Sequence, residues 1–138
     1  MTNQQHQQPQ LQQRRDNRRA LGNAGEALAA DFLLSAGWRI IERNWRCRTG
    51  ELDLVAASDD MLLFVEVRTR THSSKGSFGT ARESVDPRKQ RQVRLTAQTY
   101  MHMKRLDDSH TIRFDVICVT IQPEAGGQAT LEYIEGAF

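Results

Sequence analysis

Three carboxylates fall where the surrounding pattern assigns the interior: Glu26, Asp53 and Glu66. Glu26 lies in an alanine- and leucine-rich stretch, on the helix side that carries Ala30 and Leu33 and opposite Asp31 and Ser35. Asp53 sits in an alternating segment, with Leu52, Leu54 and Ala56 pointing one way and Glu51, Asp53 and Val55 the other. Glu66 interrupts the strongly apolar run at 62–67, and Arg68, two positions on, shares its face. Aspartate and glutamate are rarely buried unless they are paired or bind a cation. One such acid is explained by an ion pair with an arginine. Three gathered together would repel one another, and a divalent cation is the simplest way to keep all of them ionised. An all-oxygen donor set suits Mg²⁺ or Mn²⁺ better than zinc.

The elements that must position these acids can be read from periodicity and from the turn residues between them. Residues 24–36 read as a helix stopped by Gly37. Strands follow at 38–46 and 51–57, and the polar turn Ser58-Asp59-Asp60 leads into a third strand at 61–69. Residues 71–85, with Gly76 and Gly79, read as a long loop. Asp86-Pro87 opens a second helix that runs to about residue 105. Its inward stripe is Val93, Thr96, Ala97, Tyr100 and Met103, with Lys89 one turn before Val93. Strands at 111–121 and 130–134 complete the order αβββαββ, an α/β chain. Trp45 reads as a core residue. Asp115 shares a face with Ile117 and Val119 and reads as structural, with Arg113 not expected to face it.

A chain of 138 residues fits one domain with an extension. Residues 1–20 are rich in glutamine and hold four arginines against one aspartate. They carry too few apolar side chains to offset the entropy of ordering, so a disordered tail is expected ahead of a domain at 21–138. Lys and Arg total 19 against 17 Asp and Glu, and the tail holds the excess. Binding of nucleic acid would therefore depend on local clusters: Arg43, Arg46 and Arg48 before the first acidic motif, Arg68 and Arg70 after the second, and Arg82, Arg88 and Arg91 around the loop and second helix. No apolar run approaches the ~20 residues of a membrane span, and the N-terminus lacks the apolar core of a secretory signal, so a cytoplasmic protein without a membrane partner is expected. Cys47 and Cys118 are then expected as free thiols, and no zinc-type ligand cluster is present.

The spacing resembles a known pattern. Gly50-Glu51-Leu52-Asp53-Leu54-Val55 followed by Phe64-Val65-Glu66-Val67-Arg68-Thr69-Arg70 is similar to the core of the PD-(D/E)xK nuclease superfamily. With Gly22-Asn23-Ala24-Gly25-Glu26, Asn44-Trp45-Arg46 and Arg113-Phe114-Asp115-Val116 added, the chain resembles the YraN family of bacterial proteins, related to archaeal Holliday-junction resolvases. The likeness spans roughly residues 21–120 and implies a restriction-endonuclease-like core, a mixed β-sheet flanked by helices. It also implies a metal-dependent endonuclease for structured or branched DNA, working as a dimer as the resolvase relatives do. In that scheme Asp53 and Glu66 bind the metal, Val67 offers its backbone carbonyl, and Glu26 is an outer or second-metal ligand. Arg46, Arg48, Arg70 and Arg88 are the candidate phosphate contacts, which position a nucleic acid without reading its sequence. The chain departs from the superfamily at Arg68, where lysine is usual; arginine stays charged and cannot serve as a base. Lys89, near the start of the second helix, is the candidate replacement. Two other functions fit the same residues: a nucleic-acid-binding module that has lost catalysis, and an RNA-directed nuclease.

Overall fold

The computed structural model describes residues 7–71, 82–106, 109–122, 124 and 126–138. In chain order these form α1 (Gln7–Ser35), β1 (Arg39–Cys47), β2 (Gly50–Ala57), β3 (Met61–Thr71), α2 (Pro87–Met103), β4 (Thr111–Gln122) and β5 (Gln128–Ile134). A short 3-10 turn at Arg82–Ser84 precedes α2. The order is the one read from the sequence. The expected loop at 71–85 falls mostly on 72–81, which lies outside the described residues, as do 1–6 and parts of the turn at 123–127.

The strands form one mixed sheet in the order β1-β2-β3-β4-β5. Only β3 and β4 run parallel; the other neighbours are antiparallel. A parallel pair cannot be joined by a tight turn, and α2 supplies the crossover. One helix covers each face. Ala29, Ala30 and Leu33 of α1 pack on Leu54, Ala56, Leu63, Val65, Ile117 and Val119. Val93, Ala97 and Tyr100 of α2 pack on Leu52, Val55, Ala57, Leu62 and Phe64. Double coverage explains why central β3 is apolar on both faces. Trp45 is part of the α2-side core, edge-on to Tyr100. At the start of α2, the Asp86 carboxylate accepts from the Lys89 N–H at 2.8 Å, which fixes where Lys89 begins.

Several expectations need correction. Residues 7–20 are helical, not disordered: α1 runs unbroken from Gln7. Glutamine and arginine are good helix formers, and the anchored part of α1 already provides the nucleus. Met103 is 63% exposed because it ends α2, one turn after Tyr100, the last buried residue of the helix. Arg113 does pair with Asp115, through Nε–Oδ1 at 2.9 Å and a second guanidinium contact at 3.0 Å. Residues two apart on a strand share a face, so this pair was available to the sequence. Asp115 is fully buried, and Tyr133 and the Gly136 N–H complete its hydrogen bonds. Among the described residues neither Cys47 nor Cys118 forms a disulfide.

Gly25 sets how closely α1 approaches the sheet. A Cβ there would stand 1.8 Å from Thr69 Oγ1 and 2.8 Å from Thr69 Cβ, whereas a Cβ at Gly22 in the same helix meets nothing within 4 Å. Helix propensity alone favours alanine over glycine by about 1 kcal/mol at either position. The two substitutions are therefore expected to diverge in thermal melts. Gly22→Ala should raise the midpoint, and Gly25→Ala should lower it by the ~1–3 kcal/mol typical of overpacking. Shifts of the same sign would show that α1 and β3 are not in this close contact.

Candidate metal centre

The β2–β3 ladder runs from the hairpin turn as far as Leu54↔Val65. Beyond that pair the strands separate: β3 stays paired with β4 out to Thr71↔Ile121, and β2 stays paired with β1 down to Gly50↔Cys47. The Val67 N–H faces the gap, and Asp53 Oδ2 accepts it at 2.9 Å. A side-chain oxygen thus takes a place that a strand carbonyl would otherwise fill. The same region breaks the expected alternation of β2. Leu52 packs under α2 with Val55 and Ala57, not with Leu54 and Ala56. Opposite Asp53, bracketed by Arg43↔Leu54 and Trp45↔Leu52, stands Asn44 with φ +50°. Asparagine tolerates that left-handed backbone better than most residues.

Across the gap the carboxylates of Glu26 (α1), Glu51 and Asp53 (both β2) converge, each offering an oxygen within 4.8 Å of the others. This trio could hold a metal ion. Glu51 was missed from the sequence although its signal was present: two residues before Asp53, it shares a strand face. Asn44 hydrogen-bonds Glu26, and Arg46 Nε lies 3.0 Å from Glu51 Oε2. Glu66 stands outside the trio, on the α2 side, nearly fully buried, with Lys89 Nζ 3.8 Å from its Oε2. Val67 meets Asp53 through its N–H.

The charges are under strain. Burial pushes Asp53 up to about 6, against the Val67 hydrogen bond, and the charges of Glu26 and Glu51 add to the rise. Burial pushes Glu66 up to about 7, with Asp53 adding and Lys89 and Arg68 opposing. Glu26 is raised as well, chiefly by burial. These shifts mark groups that lack enough positive charge for full ionisation.

Basic residues flank the acids on both sides. On the α1 side a polar cleft of about 600 Å³ is lined by Arg19, Gly22, Asn23, Glu26, Asn44, Arg46 and Glu51. On the α2 side Arg68, Asp86, Arg88, Lys89 and Gln92 line a second, of about 430 Å³. Arg68 Nε is buried and makes no hydrogen bond among the described residues. Arg48 is exposed at the β1–β2 turn, and Arg70 Nε donates to Thr120 Oγ1 at 3.1 Å, on β4. Of the expected site residues, Glu26 and Asp53 meet directly, and Glu66, Lys89 and Arg68 adjoin them. Arg48 and Arg70 lie at the margins.

The family model described as "Uncharacterised protein family UPF0102" matches residues 25–119, a span that holds every acid of the site. The chain belongs to the UPF0102 family. A UPF0102 protein of Pseudomonas syringae pv. syringae (strain B728a) is 44% identical over 124 residues, covering 90% of this chain and 97% of the relative. One of Moorella thermoacetica is 45% identical over 121 residues, covering 88% and 97%. One of Myxococcus xanthus is 46% identical over 121 residues, covering 88% and 90%. Among the described residues of this UPF0102 chain, no helix is long and apolar enough to cross a membrane.

Raised carboxylate pKa values have a signed consequence. In the unfolded chain Asp and Glu titrate near ~4. Between there and about 7 the folded, metal-free protein holds more protons at Asp53 and Glu66 than the unfolded one. Their contribution to stability therefore falls as pH rises through that window. Asp53→Asn keeps an acceptor for Val67 and removes the charge. Its melting midpoint relative to the unaltered chain should climb from pH 5 to pH 7.5, by roughly 4 °C or more. A gap that stays constant with pH would show that the site carries no electrostatic strain.

Proposed function

We propose that this UPF0102 chain is a Mg²⁺- or Mn²⁺-dependent endonuclease that hydrolyses phosphodiester bonds in structured or branched DNA. The observation that carries the reading is the convergence of Glu26, Glu51 and Asp53 within 4.8 Å, next to the Glu66–Lys89 pair and between two arginine-lined clefts. The donor set fits a hard cation. All ligand atoms are carboxylate oxygens, and their mutual repulsion is what such an ion relieves. A bound divalent ion would supply a water of lowered pKa and neutralise charge on the phosphodiester.

The chain's own residues divide the remaining work. Glu26, Glu51 and Asp53 would hold the ion, Glu66, outside that trio on the α2 side, would add a further ligand, and the Val67 N–H fixes the Asp53 carboxylate in one orientation. Lys89 reaches the same centre from the first turn of α2. Its Nζ lies 3.8 Å from a Glu66 oxygen, and it takes the place of the lysine that Arg68 replaces on β3. Arg68 offers a fixed positive charge to a phosphate whose charge grows in the transition state. Arg46, Arg48 and Arg88 meet phosphates on either side, and Arg70 does so further along β3. Such contacts select shape over base sequence. A second reading, binding without turnover, rests on the arginine at position 68 and its buried Nε, which makes no hydrogen bond among the described residues.

Purified protein should nick labelled four-way or forked DNA only when Mg²⁺ or Mn²⁺ is present. Asp53→Ala should cut the rate by at least about 100-fold, and Lys89→Ala should reduce turnover more than affinity. Full activity in Asp53→Ala, or cleavage without metal, would sink the proposal. Salt-sensitive binding without cleavage of any DNA would favour the second reading. Preference for matched RNA structures would move the substrate to RNA.

A further inference from the structure

The first helix does not end where its core contacts end. Residues 9–20 are exposed throughout, yet α1 is continuous from Gln7. At 1.5 Å per residue this extends α1 by about 20 Å. The segment buries nothing that would reward its length. Its charge, though, is ordered. Arg19 and Arg15 precede Glu26 by about two and three full turns, so both project within about 20° of the direction of Glu26. Arg19 accordingly lines the cleft that holds Glu26, Arg46 and Glu51. Arg14 and Arg18 project about 80–120° away from that line. Among the described residues neither Arg15 nor Arg19 forms an ion pair. The nearby Asp16 is hydrogen-bonded by Gln12.

We propose that Arg15 and Arg19 make the exposed half of α1 a phosphate-binding arm, which grips the nucleic-acid backbone on one side of the acidic centre. This rests on the nucleic-acid reading above and names how far the substrate extends. The two arginines stand about 16 and 10 Å along the helix axis from Glu26, equivalent to about five and three base pairs of duplex at 3.4 Å each. The partner is polyanionic and elongated, because the charges are in file and lead straight into the acids. A lipid surface would need an apolar stripe beside the arginines, and Leu11 is the one large apolar side chain in residues 9–20.

The test compares two double variants of the full chain with equal loss of charge, R15Q/R19Q on the site-facing line and R14Q/R18Q off it. Glutamine keeps helix propensity, and circular dichroism checks that α1 persists. Binding of a fluorescein-labelled forked duplex is followed by anisotropy in EDTA across a salt series, so that catalysis plays no part. R15Q/R19Q should weaken binding roughly tenfold or more and flatten the slope of log K against log salt by about 2, while R14Q/R18Q changes the slope by clearly less. Equal effects of the two variants, or none from R15Q/R19Q, would overturn the arm and leave the acidic-centre reading standing. Failure of the unaltered chain to bind any nucleic acid would overturn both.

Discussion

Between Leu54↔Val65 and the far end of the sheet, β2 and β3 part company while each keeps its other neighbour. A sheet that splits in this way exposes backbone groups that must find partners. Here the Val67 N–H finds the Asp53 carboxylate. That one bond holds an acid inside the split, and the rest of the site follows from it. Glu51 precedes it on the same strand, Glu66 follows on the other, and α1 lays Glu26 across the opening. Gly25 permits the close seat of α1 on Thr69 that brings Glu26 within reach. Stability is given up at the split, since burial raises Asp53, Glu66 and Glu26 alike. Elsewhere a buried acid is fully satisfied: Asp115 holds Arg113, Tyr133 and the Gly136 N–H. The contrast is between an acid whose charge is fully paired and acids whose charge is not.

The basic groups answer the acids in a graded way. Lys89 Nζ lies 3.8 Å from Glu66 Oε2, and the Asp86 cap places it there by fixing the first turn of α2. Arg68 stays permanently charged on the same strand as Glu66. Arg19 and Arg46 on one side and Arg88 on the other line the walls of the approach. A near-neutral protein can therefore present arginines on both walls of an acidic centre.

Most of the fold was legible because its signals are local. Gly37 stops α1 in a positive-φ conformation, Asp86-Pro87 starts α2, and the apolar run of β3 marks a strand covered on both faces. Glu26, Asp53, Glu66 and Lys89 were legible as polar residues at inward positions. What escaped depended on long-range geometry or on overlooked strand parity. On β2, Leu52 changes face beside the left-handed Asn44 of β1, and no local pattern signals this. Glu51 and the Arg113–Asp115 pair obey the two-residue period and could have been found by it. The helical state of residues 7–20 was hidden because composition speaks to burial and not to a helix propagated from its neighbour.

The proposed ion would be shared between α1 and β2, and diffraction can locate it directly. Crystals of the full chain soaked in Mn²⁺ and measured at an anomalous wavelength should show a single strong peak. It should lie about 2.0–2.2 Å from carboxylate oxygens of Asp53 and of at least two among Glu26, Glu51 and Glu66. A map with no peak there, or with manganese bound only to acids elsewhere on the surface, would contradict the account.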